Sequence, residues 1–194
     1  MHLVVCIKHT PDSAATMLVE NGQVSWGDAP MVINPWDEYA IEEALRVKEK
    51  FGGSVTALTM GPESSTEALK TAIAMGCDHG ILISEESSES YDTRFTALVI
   101  SRAIARIDNV LLVFFGKQAI DGDTGLVPMS VAHALGWPGF SYVAELSEID
   151  IENSNINVKR LLEEGRQHCT GKLPAVISVV KEINEPRYPS FVGI

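Results

Sequence analysis

The chain has 194 residues, 45% hydrophobic and 21% charged, a balance that fits one folded domain, or one with an appendage, and argues against a disordered chain. Its formal net charge of -11 argues against nucleic acid as a partner, because a phosphate backbone needs a basic surface. No apolar run reaches the length of a membrane span. The first apolar run begins at His2 with no charged-then-apolar leader, and Cys6, Cys77 and Cys169 are odd in number and far apart. Both features point to reduced thiols and a cytoplasmic location. The five histidines show neither HExxH nor paired spacing, so no metal site is expected.

Residues 2–7 (HLVVCI) form a short continuous apolar run, the pattern of a central parallel strand. Lys8, His9, Thr10, Pro11 and Asp12 read as a loop. Residues 17–19 and 24–26 then flank Asn21-Gly22, a hairpin turn dipeptide, in an excursion that faces solvent or covers a partner. Asn34-Pro35 opens a helix with Tyr39, Ile41, Ala44, Leu45 and Val47 on one face, and Gly52-Gly53 ends it. A second buried strand covers 55–60, followed by Gly61-Pro62, a helix over 65–75 and a third strand at 79–83 weakened by Gly80. Residues 84–90 are polar and acidic, a surface loop. Residues 91–107 read as a long amphipathic helix with Phe95, Leu98, Val99, Ala103 and Ile107 inward, and 110–115 as the fourth strand.

Strands alternating with helices in this way predict an α/β fold, a doubly wound, mostly parallel, Rossmann-like sheet of adenine-nucleotide-binding type. After Trp137-Pro138 the pattern changes to strands near 142–146, 156–161, 167–169 and 175–180, adding antiparallel strands at the C-terminal end of a single domain, 1–194. No internal repeat or low-complexity segment interrupts it.

The stretch 116–128 (GKQAIDGDTGLVP) joins the fourth strand to a helix opening at Pro128. A parallel sheet places ligands there, beyond a strand's carboxyl end and facing helix-terminal N–H groups. Gly116, Gly122 and Gly125 allow close backbone approach, Thr124 offers a hydroxyl and Lys117 a cation. The order matches neither GxxxxGK[ST] nor GxGxxG. Asp121 and Asp123 repel phosphate, so the loop reads equally well as a capping and turn segment.

Five segments in order resemble the β subunit of electron transfer flavoprotein, the FixA-type family: HLVVCIKHTPD, INPWDEYAIEEALRVKEKFGG, VTALTMGPESSTEALKTAIAMGCD, GKQAIDGDTG and LPAVISVVKEINEPRYPS. The resemblance implies an electron carrier without catalytic side chains. It implies a heterodimer with an α subunit that holds most of the contacts to a redox FAD, and a second adenine nucleotide in the β subunit, AMP or a second FAD. Electrons would come from an acyl-CoA or related dehydrogenase, and the flavin, not the protein, does the redox work. By position it assigns the nucleotide to Cys6, Lys8, Asn34, Asp37, Met60, Asp121, Asp123, Thr124, Gly125, Leu126 and Val127. It assigns protein-partner contacts to Arg187, Tyr188 and Phe191, at the start of a recognition loop over 184–194, with the C-terminal arm that usually follows missing here.

Residue by residue, blander roles stand beside these. Cys6 and Met60 suit a core, Asn34 before Pro35 suits a turn, and Lys117 suits a solvated surface. Two positions depart from the family pattern. Leu126 and Pro128 stand where relatives carry glutamine and glycine, and each lost donor to a charged group costs about 1.5–3 kcal/mol. The Asp-Gly-Asp-Thr spelling leans towards electron-bifurcating members, while these departures lean away from them. Two alternatives remain open: a stand-alone adenine-nucleotide module of the universal-stress type, which Thr124-Gly125 matches only in part, and a structural subunit that has lost its nucleotide. An ATP-pyrophosphatase reading needs a Ser-Gly-Gly loop after the first strand, and Lys8-His9-Thr10-Pro11 does not supply it.

Overall fold

The computed structural model describes residues 1–20, 22–85 and 91–190. In chain order the strands and helices are β1 (His2–Cys6), β2 (His9–Pro11), β3 (Leu18–Glu20), β4 (Gln23–Ser25), β5 (Met31–Ile33), α1 (Pro35–Phe51), β6 (Ser54–Gly61), α2 (Thr66–Met75), β7 (His79–Ser84), α3 (Thr93–Ile104), β8 (Val110–Gly116), α4 (Val127–Leu135), β9 (Gly139–Asp150), β10 (Asn155–Leu162), β11 (Gly165–Lys172) and β12 (Ala175–Val179).

Eight strands form one sheet in the order β11-β10-β9-β12-β8-β1-β6-β7. The pairs from β9 to β7 are parallel, and β9-β10-β11 continue antiparallel. This is the doubly wound sheet with C-terminal antiparallel strands that the sequence pattern predicts. From β1 the chain winds outward through β6 and β7, then returns to β8 on the other side, so the order reverses between β1 and β8. That reversal opens a crevice at the carboxyl ends of these two strands.

Burial follows the period of two expected of a covered strand. Leu3 and Val5 face α1 and α2 in one cluster with Ile41, Ala44, Leu45, Leu69, Ala72 and Phe114. Val4 and Cys6 face α3 and α4 in the other, with Ala97, Ile100, Ile104, Val113, Val131 and Val176. Helix α1 starts with Pro35 in its first turn, carries Asp37 and Glu38 near its N-terminus and Lys48 and Lys50 near its C-terminus, and ends at Gly52 with φ 78°. Those charges complement the helix dipole.

Three local expectations need correction. The segment after β1 is not a plain loop: β2 pairs antiparallel with β5 in a small separate sheet. The predicted 91–107 helix is shorter, capped by Asp92, whose side chain accepts the Phe95 N–H at 2.8 Å. Its inward face is also partly rotated: Ala103 and Ile107 pack against the core as expected, but Phe95 and Leu98 are exposed, and Ala97, Ile100, Ser101 and Ile104 are buried. Small Ala97 and Ser101 let α3 lie close against its neighbours, while Phe95 stacks on Tyr91 at the surface with ring centroids 4.1 Å apart. The hairpin around Asn21-Gly22 forms as β3 and β4, with Asn21 itself outside the described residues. Residues 86–90 of the predicted acidic loop also lie outside them.

The rotated face is directly testable. Leu98→Ala should change the unfolding free energy by no more than about 0.5 kcal/mol, and Ile104→Ala should lower it by about 2–5 kcal/mol in urea titrations.

Candidate functional site

The crevice between β1 and β8 is closed from below by two side chains of the α1 N-terminus. Asn34 is the N-cap residue of α1, yet its side chain makes no cap hydrogen bond. It reaches across the crevice instead. Its Nδ2 donates to the Gln118 carbonyl at 2.9 Å, and its Oδ1 accepts the Ile120 N–H at 3.2 Å. The amide thereby supplies both partners that a strand neighbour would give the loop. Its own backbone N–H donates to the Lys8 carbonyl at 2.8 Å, which ties the helix start to the end of β1.

Asp37, one turn on, is buried. One carboxylate oxygen accepts the Lys8 N–H at 2.8 Å and the other the Gly116 N–H at 3.1 Å. A single carboxylate thus bridges the carboxyl ends of β1 and β8 at the switch point. Gly116 is dictated by this approach: a Cβ there would lie 2.5 Å from Asp37 Oδ1 and 2.6 Å from the Trp36 carbonyl carbon. Burial drives the Asp37 carboxyl up to about 7, against the opposing pull of the Lys8 and Gly116 N–H groups and the Asn34 side chain.

Above this base the loop carries its own contacts. Lys8 Nζ pairs with Asp121 Oδ2 at 2.6 Å. The other oxygen of Asp121 is buried and has no hydrogen-bond partner among the described residues. The Gln118 side-chain amide donates to Asp123, whose N–H closes a turn onto the Ala119 carbonyl at 2.9 Å. Asp123 and Gly125 both take positive φ, 53° and 59°, so the chain reverses tightly before α4. Leu126 caps α4 without a side-chain hydrogen bond and is 59% exposed, and Pro128 is buried in the first turn. Lys117 points away from this network. Its Nζ lies 5.3 Å from the centroid of the Trp36 ring and 5.7 Å from that of Tyr142, a residue itself held at φ 57°.

Lys8, Asn34, Asp37, Asp121 and Asp123 therefore share one connected network, and Thr124, Gly125, Leu126 and Val127 lead from it into α4. Cys6 and Met60 stand apart from it. Cys6 is buried in the apolar cluster beneath the crevice, where burial and then the Asp37 charge push its thiol well above the ordinary range. Met60 is half-buried near the end of β6, on the far side of β1 from the loop. Gln118, Gly116, Trp36 and Tyr142 complete the surroundings. Gln118 lies in the 116–128 stretch but offers no sequence signal for its link to Asn34, and nothing in the sequence marks Tyr142. Further along α1, Arg187 is engaged by Glu42 and Glu49, and Tyr188 is almost fully exposed. Phe191 lies outside the described residues. Among the described residues no group of histidine, cysteine and carboxylate side chains could hold a metal ion, and no helix is long and apolar enough to cross a membrane.

A strand order reversing at β1 and β8, with a helix-capped loop above the reversal, defines a doubly wound α/β protein with its crevice at the switch point. Residues 24–191 match the family model described as the electron transfer flavoprotein domain. The chain is 39% identical to the electron transfer flavoprotein subunit beta of Thermoanaerobacterium thermosaccharolyticum, over 100% of this chain and 74% of the relative. It is 40% identical to the protein FixA of Azotobacter vinelandii, over 97% of this chain and 68% of the relative. Against the subunit beta of Bacillus subtilis identity is 34%, covering 100% and 74%. The chain belongs to the electron transfer flavoprotein family, on its β-subunit and FixA side.

The Asp37 bridge predicts a pH signature. The folded value near 7 lies above the unfolded value near 3.8, so the stability contributed by the neutral acid is fully present below about pH 4 and is lost as pH rises towards 7. Unfolding free energy should therefore fall between about pH 4 and 7 in the wild type, by at most about 4 kcal/mol from this group. Asp37→Asn should flatten that slope. It should also show a nearly constant loss of about 1–3 kcal/mol, because an amide leaves one of the two N–H groups without an acceptor. Urea midpoints at stepped pH measure both.

Proposed function

We propose that this chain is the β subunit of an electron transfer flavoprotein, one half of a heterodimer that moves electrons between a flavin dehydrogenase of acyl-CoA type and an acceptor. In this reading the α subunit carries most contacts to a redox FAD, and the β1–β8 crevice holds an adenine nucleotide, AMP or a second FAD. The observation that carries it is the Asn34–Asp37 network, which holds the family's loop over the switch point where such folds bind nucleotides.

The residues present fit that group. Asp121 keeps one buried oxygen without a partner among the described residues, suited to a ribose or ring donor, and the Lys8 Nζ paired with its other oxygen is half exposed and offers charge to a phosphate. The start of α4 carries no side-chain cap, so its first-turn N–H groups suit an anion, less the one that Pro128 lacks. When bound, FAD supplies the electron transfer. The work of this chain is to bind and orient: Asn34 and Asp37 fix the loop, Lys8 and Asp121 meet the ligand, and residues 124–127 enclose it. Leu126 and Pro128 favour a second reading, a structural subunit whose loop is empty.

The test is chromatography of the nucleotides released on denaturing the full-length protein co-expressed with its α subunit. One FAD and one AMP per heterodimer is expected of a simple carrier, and two FAD of a bifurcating one. FAD alone, in one-to-one ratio, would overturn the β-site nucleotide and leave the structural reading.

A further inference from the structure

The face that α3 turns to solvent differs in kind from the acidic chain that carries it. Phe95 and Leu98 are 40% and 47% exposed, and Tyr91, stacked on Phe95, adjoins them. Arg94, Leu98 and Arg102 follow one another at a spacing of four along the helix, and Arg106 extends the row in the turn that ends it. Residues three and four apart share a helix face, so these arginines and apolar side chains interleave on one surface. No aspartate or glutamate lies between Asp92 and Asp108, in a chain whose net charge is -11. The neighbouring helix α4 carries none either.

Folding does not account for this pattern. Arg46, Arg166 and Arg187 have carboxylate partners, whereas Arg94, Arg102 and Arg106 have no ion-pair partner among the described residues. Arg102 and Arg106 suit the C-terminal end of the helix dipole, but Arg94 stands in the first turn, where the dipole opposes a cation. Phe95 and Leu98, left in water, gain little from the fold. A basic and apolar face is the complement of an acidic and apolar one. A second copy pairing through the same face would set arginine against arginine, because a two-fold interface must complement itself. An anionic lipid surface or a nucleic acid extends past the helix and meets the negative charge of the rest of the chain. An acidic helix meets this face alone: its apolar seam packs on Phe95 and Leu98, and its flanking carboxylates reach the arginine forks.

We infer that the outward face of α3 is a docking site for an acidic amphipathic helix of another protein. Phe95 and Leu98 form its apolar anchor, and Arg94, Arg102 and Arg106 supply its charge contacts. The site stands whether or not the β1–β8 crevice holds a nucleotide.

The test uses the full-length heterodimer and three probes: a synthetic helical peptide with a leucine seam flanked by glutamates, the same peptide with glutamine for glutamate, and vesicles of phosphatidylglycerol with phosphatidylcholine. By calorimetry the acidic peptide should bind about tenfold tighter than the glutamine peptide, and more weakly as salt rises. Arg102→Glu should weaken its binding about fivefold and Phe95→Ala about tenfold, with urea midpoints close to wild type because both side chains are exposed. Lys181→Glu, the same charge reversal at an exposed position off the face, should leave binding unchanged. The inference is overturned if the acidic peptide does not bind, if it binds no better than the glutamine peptide, or if Arg102→Glu and Phe95→Ala bind it as the wild type does. Vesicle binding that exceeds peptide binding and is lost in Arg102→Glu would overturn it in favour of a lipid surface. If the α subunit already shields Phe95 and Leu98 from hydroxyl-radical labelling in the heterodimer, the face is not open and the inference falls.

Discussion

Everything at the crevice depends on one carboxylate and one amide at the start of α1. Parallel strands β1 and β8 end side by side with N–H groups that no further strand receives. Asp37 takes one from each, and Asn34 takes the next pair of backbone groups from the loop. The cost of burying a carboxylate is what lifts its titration towards neutrality, and those N–H groups are what make the burial tolerable. Each hydrogen bond is worth only about 0.5–1.5 kcal/mol net, but leaving any one partner unsatisfied in this buried place costs more. The network is therefore close to all-or-none, a suitable property for a part that must hold a loop in one position.

The same constraint explains why α1 is arranged as it is. Pro35 occupies a first-turn position that needs no N–H, and the helix forgoes a side-chain cap so that Asn34 can face the loop. The opposite end of the crevice is less constrained. Asp121 holds Lys8 with one oxygen and leaves the other without a partner among the described residues, while Asp123 and Gly125 turn the backbone sharply into α4. A rigid base beneath a loop with an unmatched acceptor is a sensible division for binding: geometry from below, recognition from above.

Much of the fold was legible. The continuous apolar runs of β1, β6, β8 and β12 read as buried parallel strands because both faces are covered, and the Gly-rich stretch after β8 marks the loop. The misses have physical causes. On α3 the size of Phe95 and Leu98 points them inward in the sequence pattern, whereas close helix contact selects Ala97 and Ser101 and leaves Phe95 and Leu98 outside. β2 and β5 are three-residue strands separated in the chain by the β3–β4 hairpin, too short to carry a period. Asn34 and Asp37 reached the site by resemblance to relatives. Residue patterns alone read Asn34 as a turn former, because the link from α1 to Gln118 and Ile120 spans more than eighty positions and leaves no local trace. The pairing of Arg187 with Glu42 and Glu49 is equally non-local.

The most direct measurement is the nucleotide content of an Asn34→Ala heterodimer beside the wild type, with folding checked by the urea midpoint. If the Asn34 amide sets the loop, the variant should stay folded and keep the FAD held by the α subunit, but lose the adenine nucleotide of the β1–β8 crevice. A folded Asn34→Ala protein that retains that nucleotide in full would contradict the account.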